Sequence, residues 1–325
     1  MEDKHPNMIP IPVRDLIGGS TSPVNLYVRI GADKFVLISK AGTKTDKERL
    51  QSYENKTVEY LWVKREEYGF LMDSNITIAG VLVNQKSLTT AQKTLILSQA
   101  AAGVFTELEH IGLGFETYSH ARQIVEATVA LAESNNNLNT LLSSLNDCSD
   151  ELLRHSMAVT SISVLIANAL NWENKQTVEK LALGALLHDI GLKALPPELV
   201  NKPRALMSFE ENQQYETHPY KGMQMLLNLG VVPDDVVAIV YEHHENAIGQ
   251  GYPRKLRNIK MHPLAKVVAL ANDFCELTVP GINNPTARSP REALVTIEMT
   301  MGQPHNKEAF RALQQVVNRE YAKSA

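Results

Sequence analysis

The sequence contains only two cysteines among its 325 residues, Cys148 and Cys275, and their spacing matches no disulfide or metal-binding pattern. A disulfide framework is therefore not expected, and a reducing compartment fits better. No stretch approaches the roughly 18 apolar residues of a membrane span, and the N-terminus lacks the regions of a signal peptide. We expect a cytoplasmic protein without membrane association.

Positive charge is not in excess either. Lys and Arg total 32 and Asp and Glu total 36, which gives a formal net charge of −4. Proteins that bind nucleic-acid polymers are normally basic, so such a partner is not expected, although a local basic pocket for a small anion is compatible. With 44% hydrophobic and 21% charged residues, the chain has a globular composition and is long enough for two domains.

The predicted secondary structure divides the chain into three segments. Residues 1–86 are predicted to form a small α/β domain, with strands over 25–30, 34–38 and 58–63, the first two joined by a hairpin turn. Residues 87–146 are predicted to be linking helices, which either bridge two domains, form a dimer seam or simply pack. Residues 147–325 are predicted to be all-helical, with helices over 177–189, 209–229, 234–244, 264–277, 291–301 and 306–320.

Five histidines and one aspartate of this helical region stand beside strongly apolar segments. One such histidine would ordinarily be a core residue with a single hydrogen bond. Several unpaired buried imidazoles would each cost about 1–3 kcal/mol, and a shared metal centre removes that cost. The predicted ligands are His155, His188, Asp189, His218, His243 and His244.

Further donors raise the number above what one octahedral ion accepts. Asn272 or Asp273 supplies a seventh, and Glu151, four residues before His155, supplies an eighth. Two divalent ions are therefore expected, with the Asp189 carboxylate as their bridge. The nitrogen and oxygen donors favour iron, with manganese, zinc or nickel as alternatives. Such a pair of ions supports phosphoryl chemistry.

Adjacent residues on a helix diverge by roughly 100°. On that basis, His243 and His244 are expected to serve two different ions rather than one.

Four motifs in order resemble the HD-GYP family of HD-domain metal-dependent phosphohydrolases, over roughly residues 147–320. They are His188-Asp189-Ile190-Gly191, His218-Pro219 with Gly222, His243-His244-Glu245, and Gly251-Tyr252-Pro253.

That family is known for hydrolysing cyclic di-GMP. The resemblance implies an HD-type helical bundle, metal binding by the five histidines and Asp189, and a catalytic role for His188 and Asp189. It places Glu151 where some members hold a third metal, and Tyr252 on a loop near the substrate. It also implies that the N-terminal domain is a regulatory or interaction module.

The chain departs from the family pattern at several places. Leu192 stands where the family usually has lysine, with Lys193 one position later, and Asn272 stands where the last metal-binding aspartate is expected. Asn246 and Ile248 replace an arginine and an aspartate, and the family's Asp-Ala-Leu-Thr is Cys-Glu-Leu-Thr over 275–278. Candidate phosphate contacts are Lys193, Lys221 and Lys266.

Three functions follow from these observations. The first is hydrolysis of cyclic di-GMP at two metals. The second is a catalytically degenerate domain that senses a nucleotide or docks a signalling partner. The third is a single-metal hydrolase of another phosphate ester or nucleotide.

Overall fold

The computed structural model describes residues 5–16, 21–44, 58–134, 138–145, 148, 150–300 and 304–322. Its contacts divide the chain into two compact units, Met1–Ala127 and Thr128–Ala325. This division differs from the predicted boundaries at 86 and 146, and the separate roles given to those segments remain predictions.

The first unit contains a four-stranded antiparallel sheet in the order β1-β4-β2-β3. The strands are Met8–Pro12 (β1), Leu26–Gly31 (β2), Lys34–Ser39 (β3) and Tyr60–Lys64 (β4). The predicted hairpin is confirmed as β2 and β3, and the predicted third strand is β4. Strand β1 was not predicted because Pro10 and Pro12 interrupt its sequence. It lies at the edge of the sheet, where a missing proline N–H removes no ladder bond.

Helices follow the sheet in the first unit. They are Tyr68–Val83 (α1), Thr90–His110 (α2) and Phe115–Ser134 (α3), and the division between the units falls within α3. Helix α2 begins with a capping box, in which Thr89 and Gln92 each accept from the other's backbone N–H. Helix α1 was not predicted, because its apolar side chains do not form one clear stripe.

Among the described residues of the second unit, the regular elements are helices, joined by loops with two isolated β-bridges. Its helices are Leu138–Ser144 (α4), Glu151–Ala169 (α5), Lys175–Leu187 (α6), Pro197–Val200 (α7), Phe209–Tyr215 (α8), His218–Leu229 (α9), Asp234–Glu242 (α10), Pro263–Thr278 (α11), Pro290–Val295 (α12) and Lys307–Ala322 (α13). The predicted fold class is therefore confirmed: the protein is mainly α, with a helical C-terminal bundle and a small N-terminal sheet.

Helix α5 is the centre of this bundle, because α4, α6, α11 and α13 all pack against it. Among the described helices, it is the one with the length and hydropathy of a membrane span. Its residues are 72% buried inside the protein, as in the core helix of a bundle.

Two predicted helices are shorter than expected. The segment predicted as one helix over 209–229 is two, α8 and α9, because His218 and Pro219 start a new helix that the proline could not continue from the previous one. Helix α12 ends at Val295 and is followed by a π-helical turn, Thr296–Thr300.

Candidate metal centre

Helix ends bring four of the histidines together in the second unit. His188 directly follows α6, His218 is the first residue of α9, and His243 directly follows α10. His155 projects from the second turn of α5. All four face one another, with the His188 ring centroid 5.2 Å from that of His155 and 4.9 Å from that of His243.

The glycines of the first two motifs permit this convergence. A Cβ atom on Gly191 would lie 1.9 Å from the carbonyl oxygen of His218 and 2.6 Å from the amide nitrogen of Gly222. A side chain at 191 would therefore push the 3-10 segment Ile190–Ala194 away from the start of α9. The close backbone approach is what places Asp189 beside His218.

The third and fourth motifs fit together in the same way. A Cβ atom on Gly251 would lie 2.2 Å from the carbonyl oxygen of His244. The buried carboxylate of Glu245 accepts the backbone N–H groups of Arg254 and Leu256 at 2.6 and 2.7 Å. The glutamate of the HHE motif thus anchors the loop that carries Tyr252.

The two carboxylate oxygens of Asp189 face two different sets of donors. Oδ2 lies 3.1 Å from Nε2 of His188 and 4.0 Å from Nε2 of His155. Oδ1 lies 3.2 Å from Nε2 of His218 and 3.4 Å from Nε2 of His243. The two donor groups that result are His155, His188 and Asp189, and Asp189, His218, His243 and His244.

Backbone hydrogen bonds fix the orientation of three of these imidazoles. Nδ1 of His188, His218 and His243 lies 2.7, 2.8 and 2.8 Å from the carbonyl oxygen three residues earlier. A carbonyl only accepts, so each Nδ1 is the donor, and in the neutral ring Nε2 carries a lone pair toward Asp189. Outer hydrogen bonds of this kind orient the histidine ligands of metal sites.

The lone pairs on these Nε2 atoms have no hydrogen-bond donor facing them, and a bound cation would accept them as ligands. Nε2 of His218 and Nε2 of His243 lie 3.2 Å apart, and two neutral rings donating through Nδ1 place no proton between them. Among the described residues, the buried Nε2 of His188 and Oδ1 of Asp189 have no hydrogen-bond partner. The residues present therefore fit divalent metal ions.

The protonation states also suit metal binding. Burial lowers the pKa of His155 and of His243 to about 4, and lowers that of His244 well below its usual value, so these rings are neutral donors. Burial alone would raise the pKa of Asp189, but the neighbouring His188 and the other imidazoles outweigh it and hold that pKa well below its ordinary range. Asp189 is therefore an anion at neutral pH.

His243 and His244 do not diverge as expected from the sequence. Both belong to the donor group that contains His218, and their ring centroids lie 4.3 Å apart. The expected angle of about 100° applies inside a helix, but α10 ends at Glu242, so the two residues lie in the turn that follows.

The structure distinguishes Asn272 from Asp273. Oδ1 of Asn272 lies 2.8 Å from Nε2 of His155, whereas the Asp273 carboxylate accepts a hydrogen bond from His305 at 2.9 Å. The two side chains leave α11 in different directions, with Asn272 at the cluster and Asp273 outside it. The Glu151 carboxylate, predicted as a further donor, accepts the backbone N–H of Ile282 and belongs to neither donor group.

The predicted phosphate-binding lysines are not gathered at the cluster. Lys193 is exposed, and Nζ of Lys221 donates to the carbonyl oxygen of Ala194 at 3.3 Å. Lys266 lies about 9 Å along α11 from Asn272 at 1.5 Å per residue. The phosphate contacts assigned to these lysines remain predictions.

Tyr252 does lie at the cluster. Its ring stacks on that of His244, with centroids 4.5 Å apart, and its hydroxyl lies 3.5 Å from Nη1 of Arg204. Arg204 also packs over the ring of Tyr215 and pairs with Glu216 at 3.0 Å. A positively charged guanidinium is therefore held next to the predicted substrate loop, and the sequence did not indicate it.

A cavity of about 150 Å³ opens beside the first donor group, with His155 and Asp189 in its wall. Its other lining residues include Leu192, Lys202, Tyr215, Glu276 and the segment 279–284. Lys202, Tyr215 and Glu276 were not predicted as site residues. The one signal for Glu276 was its position four residues after Asn272, on the same face of a helix.

The position expected to hold lysine forms an apolar part of this wall. Leu192 is buried and packs with Leu195 and Leu199 in a small hydrophobic cluster. Lys202 brings a positive charge to the wall, and its ammonium group pairs with Glu211 at 2.6 Å.

Glu276 adds negative charge to the cavity. Its side chain is open to the solvent of the cavity, but the surrounding protein and the nearby carboxylates of Asp273 and Asp189 raise its pKa to about 7. A cation bound between or beside these three acidic groups would favour their charged forms.

Residues 138–306, slightly more than half of the chain, match the family model of the HD domain. The chain belongs to the HD-domain family. Its ordered motifs make it a member of the HD-GYP type.

Its characterised relatives are similar over part of their length. The chain is 30% identical over 186 residues to a cyclic di-GMP phosphodiesterase of Pseudomonas aeruginosa, covering 57% of this chain and 44% of that protein. It is 31% identical over 127 residues to 3′3′-cGAMP-specific phosphodiesterase 1 of Vibrio cholerae, covering 38% and 28%. A cyclic di-GMP phosphodiesterase of Thermotoga maritima is 28% identical over 195 residues, covering 56% and 50%. The chain thus spans half or less of the length of these relatives.

A solved structure shares the fold across nearly the whole chain. It is that of an HDG"Y"P protein from Bdellovibrio bacteriovorus, with a TM-score of 0.73 and 24% identity, covering 96% of this chain and all of that one. At this identity the likeness establishes the fold.

Proposed function

We propose that this protein hydrolyses a phosphodiester bond of cyclic di-GMP, or of a related cyclic dinucleotide, at two divalent ions that share Asp189. The observation that carries the proposal is the division of the Asp189 carboxylate, with one oxygen toward each donor group. The relatives described above are phosphodiesterases of cyclic dinucleotides, which supports the substrate class.

Two bound ions would supply Lewis acidity toward the phosphate and an activated water. The chain's own contribution is to hold the donors in place. The backbone carbonyls that accept from Nδ1 keep the Nε2 atoms of His188, His218 and His243 aimed inward. Asp189, as an anion, would offset part of the charge of the ions. Iron is our first expectation, with manganese, zinc or nickel as alternatives.

The cavity beside the first donor group is the proposed place for the nucleotide. Lys202 in its wall and Arg204 beside Tyr252 would attract a phosphate, and the aromatic ring of Tyr215 would support a base. Leu192 contributes an apolar contact where a lysine would have gripped an anion.

Metal content and cyclic di-GMP turnover measured on one preparation test the proposal. The wild type should contain two metal ions and release the linear dinucleotide or GMP, whereas Asp189→Asn should lose the turnover and at least one of the two ions. Asp273→Asn is the matched control, because Asp273 is bonded to His305 outside the cluster, and it should retain the turnover and both ions. Absence of product from wild type loaded in turn with iron, manganese, zinc and nickel would contradict hydrolysis.

A second function, nucleotide sensing with little turnover, is favoured by Leu192 and Asn272. Leu192 places an apolar side chain in the cavity wall where the family has a lysine. Asn272 places a neutral amide where the family has a negatively charged aspartate. Under this alternative, Leu192→Lys combined with Asn272→Asp should raise turnover above that of the wild type, while calorimetry shows that the wild type already binds the nucleotide. Unchanged turnover in the double variant would reject the idea that these positions limit the activity.

We also propose a cytoplasmic location, which fits the two cysteines, Cys148 and Cys275, since neither forms a disulfide. A homodimer through residues 87–146 and a signalling-protein partner remain predictions from the sequence.

A further inference from the structure

Asn272 poses a chemical problem as a metal ligand. A carboxylate presents an oxygen whichever way it rotates, but an amide presents oxygen at one end and a nitrogen that cannot ligate at the other. The amide must therefore be held in one of its two orientations. Asn272 is 1% exposed, and its Oδ1 lies 2.8 Å from Nε2 of His155.

That separation suits two ligands of one ion. Adjacent donors of an octahedral ion with bonds of about 2.1 Å lie about 3 Å apart. The Asn272 oxygen and the His155 nitrogen have this spacing, on the side of the cluster that includes Oδ2 of Asp189.

The opposite end of the amide faces a carboxylate. Nδ2 of Asn272 donates to Oε1 of Glu276 at 3.4 Å. Glu276 follows Asn272 by four residues on α11, so the two side chains share a helix face, whereas Asp273 turns toward His305. Oε1 of Glu276 accepts from this nitrogen, and the contact selects the orientation in which the amide nitrogen points toward Glu276 and the oxygen toward His155.

We propose that Glu276 is a positioning residue that makes Asn272 a metal ligand, by holding the amide nitrogen and placing negative charge behind it. This inference rests on the proposed metal site. The arrangement parallels the carboxylates that orient histidine ligands from behind. The Glu276 carboxylate would place near the ion the negative charge that the amide of Asn272 lacks.

Titration of the full-length protein with Mn²⁺, followed by electron paramagnetic resonance, tests the role without relying on activity. Glu276→Ala should weaken one of the two Mn²⁺ sites by roughly 10–100-fold, the range expected for loss of an orienting partner. Glu276→Gln, which keeps an acceptor oxygen but not the charge, should weaken it less. Asp273→Asn is the control for a carboxylate on the same helix that does not contact Asn272, and it should leave both sites unchanged.

The decisive comparison is made in the Asn272→Asp background. Aspartate needs no selected orientation and brings its own charge, so adding Glu276→Ala there should change the Mn²⁺ affinity less than about 3-fold, within the error of additivity of roughly 0.5 kcal/mol. An equal loss in both backgrounds would overturn the inference, because Glu276 would then act through general charge or folding. Unchanged Mn²⁺ affinity in Glu276→Ala alone would overturn it as well.

The outcomes separate this inference from the proposed function. Wild type that binds two Mn²⁺ ions in a Glu276-dependent way but hydrolyses no cyclic di-GMP would keep the positioning role and reject the hydrolysis. Wild type that hydrolyses cyclic di-GMP, with Mn²⁺ affinity unchanged by substitution of Glu276, would keep the hydrolysis and reject the positioning role. Wild type that binds no Mn²⁺ would overturn both.

Discussion

Each unit of the protein buries histidine, but the two units satisfy it differently. In the first unit, His120 is 4% exposed and both ring nitrogens face carboxylates, with Nδ1 at 2.9 Å from Glu107 and Nε2 at 3.1 Å from Asp73. In the second unit, five imidazoles gather around the single carboxylate of Asp189. In the first unit, both ring nitrogens of His120 have a hydrogen-bond partner. In the second unit, the lone pairs of the imidazoles and of Asp189 outnumber the hydrogen-bond donors that face them.

The difference shows what distinguishes a structural histidine from a ligand. Burial opposes charge on His120, but Glu107 and Asp73 outweigh it and raise its pKa, which favours the protonated ring with an acceptor at each nitrogen. Burial instead lowers the pKa of His155 and His243 to about 4, which keeps both rings neutral, and the Nδ1 hydrogen bond of His243 leaves its Nε2 with a lone pair. A buried imidazole with a free lone pair indicates a metal site, whereas one between two acceptors does not.

The largest effect is expected at the shared carboxylate. Asp189→Asn should reduce bound metal from two ions per chain to one or none and bring hydrolysis to the background rate, because the amide cannot bridge two cations. Elemental analysis and a product assay measure this. His120→Gln, the corresponding change in the first unit, should leave metal content unaltered; a loss of metal there would break the distinction between the two arrangements.

The free energy of unfolding should respond to the His120 substitution, which leaves the metal content unaltered. His120→Gln leaves the buried Glu107 carboxylate without its cation, and should lower the free energy of unfolding of the first unit by about 3–5 kcal/mol. Asp73→Asn removes the exposed partner, whose side chain is 70% accessible, and should cost about 1 kcal/mol or less. Equal losses from the two variants, measured by urea unfolding, would contradict the assignment of Glu107 as the dominant partner.

The pH dependence of that loss has a defined sign. Because the folded pKa of His120 is raised, the stabilisation by its charged ring is fully present below the unfolded value of about 6.5 and is lost as pH rises through the folded pKa. The stability difference between wild type and His120→Gln should therefore narrow above neutral pH. A difference that widens with pH would show that the ring is neutral in the folded protein.

Metal addition should stabilise the second unit by a smaller amount. At a free ion concentration 100 times the dissociation constant, one site contributes about 2.7 kcal/mol, and a chelator should reverse the gain. Differential scanning calorimetry with and without Mn²⁺ measures it. The Asp189→Asn variant should gain less than the wild type, and an equal gain in both would place the ions outside the cluster.

The smallest effect is expected at a lysine predicted from the sequence. Lys266→Ala lies about 9 Å along α11 from Asn272 and should change stability by less than about 0.5 kcal/mol, with cyclic di-GMP turnover unaltered. A clear loss of turnover would return Lys266 to the substrate site.

The convergence of the five histidines on Asp189 was predictable from the sequence because its signal is local. His188 and Asp189 end an apolar helix, and His218 and Pro219 begin another, so chain position alone indicated that their side chains meet. The order of the glycines also carried information, since Gly191 and Gly251 each meet another segment's backbone where no Cβ fits.

The surroundings of the site were less predictable because they depend on packing between distant segments. Nothing in the sequence indicated that Arg204 would reach Tyr252, or that Leu192 would join an apolar cluster with Leu195 and Leu199. The relation between His243 and His244 was misjudged because the helix ends two residues earlier than its periodicity suggested. Likewise Pro10 concealed strand β1, whose edge position tolerates it.

The bridging role of Asp189 is tested most directly by counting metal ions in wild type and Asp189→Asn protein purified side by side. Elemental analysis, with protein concentration from amino-acid analysis, should give two ions per wild-type chain and at most one in the variant. One ion or none in the wild type, or two in both proteins, would contradict a pair of metals joined by this carboxylate.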